Sequence, residues 1–351
     1  MGWRAPGAML RKILLRALVL AAVVGVPTYA AFQASPWPSA LLVRWAYDRG
    51  GWRMSRALEK HVPPGVSARL DERYDAADDD ALLDVFFPSQ IENTEGALPT
   101  VVWVHGGGWI SGSKDQIANY ARILAGRGYT VAGVDYSIAP GRTYPTPVRQ
   151  VNAALAYLAA NARRLHVDPS RFVLAGDSAG AHIAAQLANA IAVPSYAAEV
   201  GVAPSIGRRQ LAGTVLFSGV FRIAPVRPEG RVGIFGWTMP WAYSGRKDFM
   251  NDPGFAKASV VEYVTADFPS SFVSAGNADP LLPQSRELAA ALASRGVRVE
   301  GLFFPDDHAP ALPHEYQFNL DTDEGRLALE RAVGFLAERT AMTGVRHDPS
   351  R

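Results

Sequence analysis

Read from the amino end, the chain opens on a stretch in which polar positions are almost absent. Arg4, Arg11 and Lys12 precede an apolar segment from Ile13 to Phe32, interrupted by Arg16 and Pro27. A basic flank before an uncharged run of about 16 residues, Ala17 to Phe32, is the pattern of a secretory signal or a signal-anchor. Snorkelling of Arg16 toward the cytoplasmic side would extend the run toward a full span. An uncleaved anchor is the reading adopted, with cleavage near Thr28, Ala30 and Ala31 as the alternative; the basic end stays cytoplasmic and the rest of the chain lies outside. From Ser35 to Pro64 apolar Leu41, Leu42, Val43 and Ala46 alternate with Trp37, Trp45, Trp52 and several arginines. That spacing predicts an amphipathic helix, packed on the domain, lying near a membrane or covering an active-site mouth.

Beyond it the period changes. Val66 to Tyr74 and Ala81 to Phe87 read as two strands joined by the acidic turn Asp78-Asp79-Asp80, an antiparallel hairpin at a sheet edge. Short apolar runs then alternate with segments of helical period. Strands are expected at Pro99–Val104, Tyr129–Asp135, Phe172–Ala175, Leu211–Phe217, Ser271–Ala275 and Val297–Phe304. Helices are expected around Ile117–Gly126, Val148–Arg164, the Ala-rich stretch after Ser178, Ser285–Ser294 and Glu324–Glu338. This alternation predicts an α/β fold with a mostly parallel sheet flanked by helices. Phe221 to Phe268 breaks it. Its prolines (Pro225, Pro228, Pro240, Pro253), glycines and aromatics (Phe235, Trp237, Trp241, Tyr243) read as a long cap-like insertion walling a substrate pocket. The expected division is a membrane anchor or signal segment at 1–34, a linker or cap helix at 35–65, one catalytic domain at 66–340 and a polar tail at 341–351.

Composition narrows the possibilities. Hydrophobic residues make up 48% and charged residues 19% of the 351, enough apolar material for a core. A formal charge of +2 gives no reason to expect a nucleic acid. There is no cysteine, so thiolate catalysis and disulfides are excluded. No spacing suggests a metal or an organic cofactor, and none is expected.

The chemistry gathers in two motifs. Gly176-Asp177-Ser178-Ala179-Gly180 follows a strand and precedes a helix, the setting of a nucleophile elbow. Glycines on both sides keep Cβ atoms out of a cramped bend, and the helix N-terminus favours negative charge beside Ser178. About 70 residues earlier a strand runs into His105-Gly106-Gly107-Gly108, where bare backbone N–H groups can hold an oxyanion. Gly106, Gly107 and Ala179 are the expected donors. His105 is expected to hold that loop in shape, Asp177 to brace the elbow, and His182 to serve packing.

These two motifs, with Asp135-Tyr-Ser-Ile-Ala-Pro140 between them, resemble the hormone-sensitive-lipase-like esterases of the α/β-hydrolase superfamily, over roughly Leu98 to the final helix. The resemblance implies an α/β-hydrolase fold. It also implies a triad acid in a Gly-x-x-Asp-Pro-Leu setting, here Gly276-Asn-Ala-Asp279-Pro280-Leu281. For the base it leaves two candidates. A preceding aromatic-proline stretch favours His308, whereas a following aromatic and the distance to the closing helix favour His314, and His314 is the residue chosen. The implied activity is hydrolysis of short- to medium-chain carboxylic esters by Ser178, Asp279 and His314 through an acyl-enzyme. An amidase or peptidase of the same fold and a catalytically idle binding domain are the alternatives, and a small-molecule ester is the expected partner.

Overall fold

The computed structural model describes residues 6–223 and 230–341. Arg4, Pro225, Pro228 and the expected tail from residue 342 onward lie outside the described residues. Two helices lead the chain, α1 (Pro6–Ala34) and α2 (Trp37–Leu58). The hairpin β1 (Val66–Arg73) and β2 (Leu82–Pro88) follows, then β3 (Leu98–Val104), α3 (Lys114–Ala125), β4 (Thr130–Val134) and α4 (Thr146–Ala160). Next come β5 (Val167–Asp177), α5 (Ser178–Ala192), α6 (Pro194–Val200) and β6 (Leu211–Phe217). The insertion carries α7 (Gly230–Ser244), α8 (Pro253–Ala256) and α9 (Val260–Tyr263). The chain closes with β7 (Ser271–Ala275), α10 (Leu282–Ser294), β8 (Val299–Phe303) and α11 (Asp323–Thr340).

The strands form one sheet in the order β1-β2-β4-β3-β5-β6-β7-β8. The β1–β2 and β2–β4 pairs are antiparallel and the others parallel. The expected edge hairpin and mostly parallel body are both present. Residues 100 to 104 and 172 to 177 show why these runs become central strands: almost every position is buried, as a sheet covered on both faces requires. One face packs against α4, α5 and α10, the other against α3 and α11. On the second face Trp103 meets Tyr120 edge-on at 5.0 Å and stacks on Phe217 at 6.2 Å.

Register puts the chemistry at one edge. Val104 pairs with Gly176, Asp177 with Phe217, and Phe217 with Ser274, so β3, β5, β6 and β7 end level. Ligand-binding loops of open α/β sheets gather at such carboxyl ends.

The long insertion leaves the sheet at that same edge, after β6. Its described residues are helical in larger part than the proline-rich reading suggested, because its aromatics supply a small core. Tyr243 stacks on Trp109 at 4.7 Å, and Trp237 lies 4.9 Å from Phe249. The Tyr144 N–H donates to the Tyr243 carbonyl at 2.8 Å and ties the insertion to the segment before α4.

Helix α1 projects from this body. Its stretch Met9–Ala34 is long and apolar enough to cross a membrane, and no described side chain of its most apolar window is buried. Its 26 residues span about 39 Å, against roughly 30 Å of bilayer hydrocarbon. An anchor and a signal sequence share this form. Helix α2, by contrast, is bound to the body: Ala40, Val43, Ser55 and Leu58 are buried. The Arg44 side chain donates to the Ile110 and Ala139 carbonyls at 2.6 and 2.9 Å.

Candidate active site

Ser178 stands where β5 turns into α5, with φ +50°. That left-handed conformation costs a non-glycine residue on the order of 1–3 kcal/mol and persists because its surroundings leave no alternative. They are very close: a Cβ on Gly180 would lie 2.0 Å from the Val104 carbonyl oxygen, and one on Gly176 2.6 Å from it. The expected role of both glycines is therefore visible as a contact with β3.

The structure brings Ser178, His314 and Asp279 together. His314 Nε2 lies 3.0 Å from Ser178 Oγ, and Nδ1 lies 3.0 Å from each carboxylate oxygen of Asp279. Nδ1–H thus donates to Asp279, and in the neutral imidazole Nε2 faces the serine hydroxyl as an acceptor. His308 is elsewhere, its Nε2 3.0 Å from Glu324 at the start of α11. Burial alone would raise the Asp279 carboxyl, but the hydrogen bond and charge of His314, the Ser218 hydroxyl and the Leu281 N–H hold it below the usual range. Ser218 was not singled out from the sequence. It follows β6 at φ +52° and also accepts the Glu315 N–H at 3.3 Å.

Asp177 fulfils its bracing role. Its Oδ1 accepts Trp103 Nε1–H and its Oδ2 accepts the Gly106 N–H, both at 2.8 Å. This corrects one expectation. Gly106 is not an available oxyanion donor, because its N–H is already engaged by a buried carboxylate. Among the described residues, the N–H groups of Gly107 and Gly108 meet no such acceptor, and that of Ala179 lies in the first turn of α5. Gly107 has φ +109°, and a Cβ there would lie 2.2 Å from the Ser111 carbonyl oxygen, so only glycine fits.

His105 is buried, stacked on Tyr136 at 4.3 Å, with Nδ1–H donating to the Gly106 carbonyl at 2.8 Å. Burial drives its pKa down to about 4, so it stays neutral and shapes the loop. His182 is likewise buried: it accepts Trp109 Nε1–H at 3.2 Å and lies 2.9 Å from the Ala258 carbonyl, pinning the insertion to the elbow helix.

Two further groups belong to the site. Glu315 carries φ +59°, and its carboxylate lies 3.6 Å from His314 Nε2. Burial, and then the charge of Glu315, push the Asp177 carboxyl well up. For His314, burial acts to lower the pKa, but Glu315, Asp279 and Asp177 together outweigh it and raise it to about 9. Over the oxyanion loop, a Cβ on Gly108 would meet the Met239 sulfur at 2.2 Å and a Tyr47 ring carbon at 3.6 Å. Helices α7 and α2 therefore both wall the mouth. Amphipathic spacing alone could place α2 on the domain but could not single out Tyr47.

A serine on a strained strand-to-helix bend, faced by an Asp-oriented imidazole at the carboxyl edge of a mostly parallel sheet, defines a class: an esterase family of the α/β-hydrolase fold. The BD-FAE family model matches residues 83–292, more than half of the chain, and the chain belongs to that family. Carboxylesterase NlhH of Mycobacterium tuberculosis is 38% identical over 140 residues, 38% of this chain and 43% of that protein. The match thus spans less than half the length of that relative. Versiconal hemiacetal acetate esterase of Dothistroma septosporum is 25% identical over 286 residues, covering 80% of this chain and 84% of its own. Among solved structures, Esterase B of Lactobacillus rhamnosis superposes with a TM-score of 0.68 at 23% identity, over 86% of this chain and 97% of its own, a likeness of fold.

Proposed function

We propose that the protein is a serine carboxylesterase acting on short- to medium-chain esters, with Ser178 as nucleophile, His314 as base and Asp279 as its orienting acid. The observation that carries this reading is the unbroken Ser178–His314–Asp279 chain of hydrogen-bonding contacts, each 3.0 Å. Ser178 Oγ attacks the ester carbonyl while its proton passes to His314 Nε2. The N–H groups of Gly107, Gly108 and Ala179 receive the oxyanion, each such donor contributing on the order of 3 kcal/mol to the barrier. Collapse expels the alcohol, which takes the proton from His314, and water then repeats the sequence on the acyl-enzyme. The hormone-sensitive-lipase-like branch is the kinship we favour within the fold, supported by His105-Gly-Gly-Gly108 together with Gly-Asp-Ser-Ala-Gly180.

We further read residues 1–34 as the anchor, 35–65 as a cap helix, 66–340 as the catalytic domain and 341–351 as a tail. Arg11, Lys12 and Arg16 at the amino side of α1 favour an anchor with the catalytic domain outside the cytoplasm, signal cleavage being the other outcome. A fluorophosphonate probe should label the full chain, and Ser178→Ala should abolish labelling. Turnover of p-nitrophenyl butyrate should greatly exceed that of the matching aryl amide. The reverse preference would make it an amidase, and folded protein that takes no label and turns over neither substrate would make it a binding domain.

A further inference from the structure

We propose that the outer face of α2 lies in the surface of a lipid bilayer and that the active site admits esters dissolved in that bilayer. This rests on the reading that α1 enters a membrane. The inner face of α2 is accounted for by Ala40, Val43, Ser55 and Leu58, all buried on the body. Its outer face is where water should meet polar side chains, yet Leu41 is 51%, Trp45 63% and Trp52 44% exposed. Spacings of four and seven put these three on one line along the helix. Arg49, Arg53 and Arg56 are exposed beside them, and the Arg49 guanidinium lies 5.2 Å over the Trp45 ring. Indole rings with arginines at their margin suit the boundary between acyl chains and anionic headgroups.

Continuity with α1 fixes the occupant. Only Ser35 and Pro36 separate the two helices, so α2 begins within about 10 Å of where α1 ends. The insertion is held at the same level, because Lys247 donates to the Gln33 carbonyl at 2.7 Å while covering the Trp241 ring at 5.2 Å. On its inner side α2 carries Tyr47 against Gly108. Seating the outer face in the interface therefore puts the site mouth about one helix diameter, roughly 10 Å, from the acyl chains. An apolar ester could reach Ser178 without first crossing bulk water.

The lack of cysteine makes a single-site probe clean. Leu41→Cys, labelled with a nitrobenzoxadiazole fluorophore, is compared with the same label at Ala293→Cys, exposed near the far end of α10. The full chain is reconstituted in vesicles of phosphatidylethanolamine and phosphatidylglycerol with brominated acyl chains. Co-flotation is expected, with the label at 41 blue-shifted and quenched severalfold more than the label at 293. Failure to co-float would overturn the anchor and this inference together; co-flotation with equal quenching at both sites would overturn this inference alone. In the same vesicles, the triple variant L41S/W45S/W52S should lose about tenfold in turnover of a vesicle-dissolved medium-chain ester of an apolar alcohol while p-nitrophenyl acetate changes less than about twofold. Equal effects on the two substrates would refute the delivery route.

Discussion

His314 stands among Asp279, Glu315 and Asp177, and their combined charge sets the pH at which it can accept a proton. With its pKa raised to about 9, only about one site in ten holds a neutral imidazole at pH 8. Esterase activity should therefore climb through the alkaline range. The charge of Glu315 is a leading cause of that rise, so Glu315→Gln should move the acid limb of the kcat/KM profile downward, toward the ordinary histidine value of about 6.5. A limb that stays put would remove Glu315 from this role. The paired test of the histidines is starker: His314→Ala should lose at least about a thousandfold in kcat, and His308→Ala should stay within a few fold. Sequence spacing left those two histidines in competition, because only five loop residues lie between them and loop geometry is invisible to periodicity. Glu315 and Ser218 were unreadable for a related reason: their value lies in which buried group each one faces.

At the scale of elements, the elbow is set by how closely α5 approaches β3. Gly180→Ala would drive a Cβ into the Val104 carbonyl, a backbone atom at the end of a central strand that cannot yield as a side-chain tip would. The expected cost is about 1–3 kcal/mol, seen as a lower Tm with reduced ester turnover. Helix α2 is the other element with consequences beyond packing. Arg44 holds the Ile110 and Ala139 carbonyls, while Asp48 accepts Ser111 Oγ–H at 2.7 Å, so α2 grips the segment that carries Gly107 and Gly108. Arg44→Ala should release that grip. A tenfold or so fall in kcat with little change in KM is expected if the oxyanion donors lose their aim; steady-state kinetics on p-nitrophenyl butyrate would show it. The amphipathic spacing of Ser35 to Pro64 announced a helix, but not the bonds that make it part of the active-site wall.

For the whole molecule, the sheet edge, the insertion and the two leading helices converge on one side. That arrangement predicts a full-length chain that sediments with membranes and survives a carbonate wash while keeping its esterase activity; release into the wash would argue for a cleaved signal instead.

What the chain determined by itself is the part governed by local chemistry. Runs such as Val101 to Val104 become buried parallel strands wherever helices cover both faces, and Gly-Asp-Ser-Ala-Gly becomes a bend because no bulkier pentapeptide could. Those two regularities were enough to predict the sheet, the elbow and the serine. Only the tertiary structure decided which histidine meets Asp279, that Asp177 occupies the Gly106 amide, and that Tyr47 and Met239 stand over the mouth. Each of these depends on distances between residues from 35 to well over 100 positions apart, and those distances are settled by packing the whole sheet edge at once.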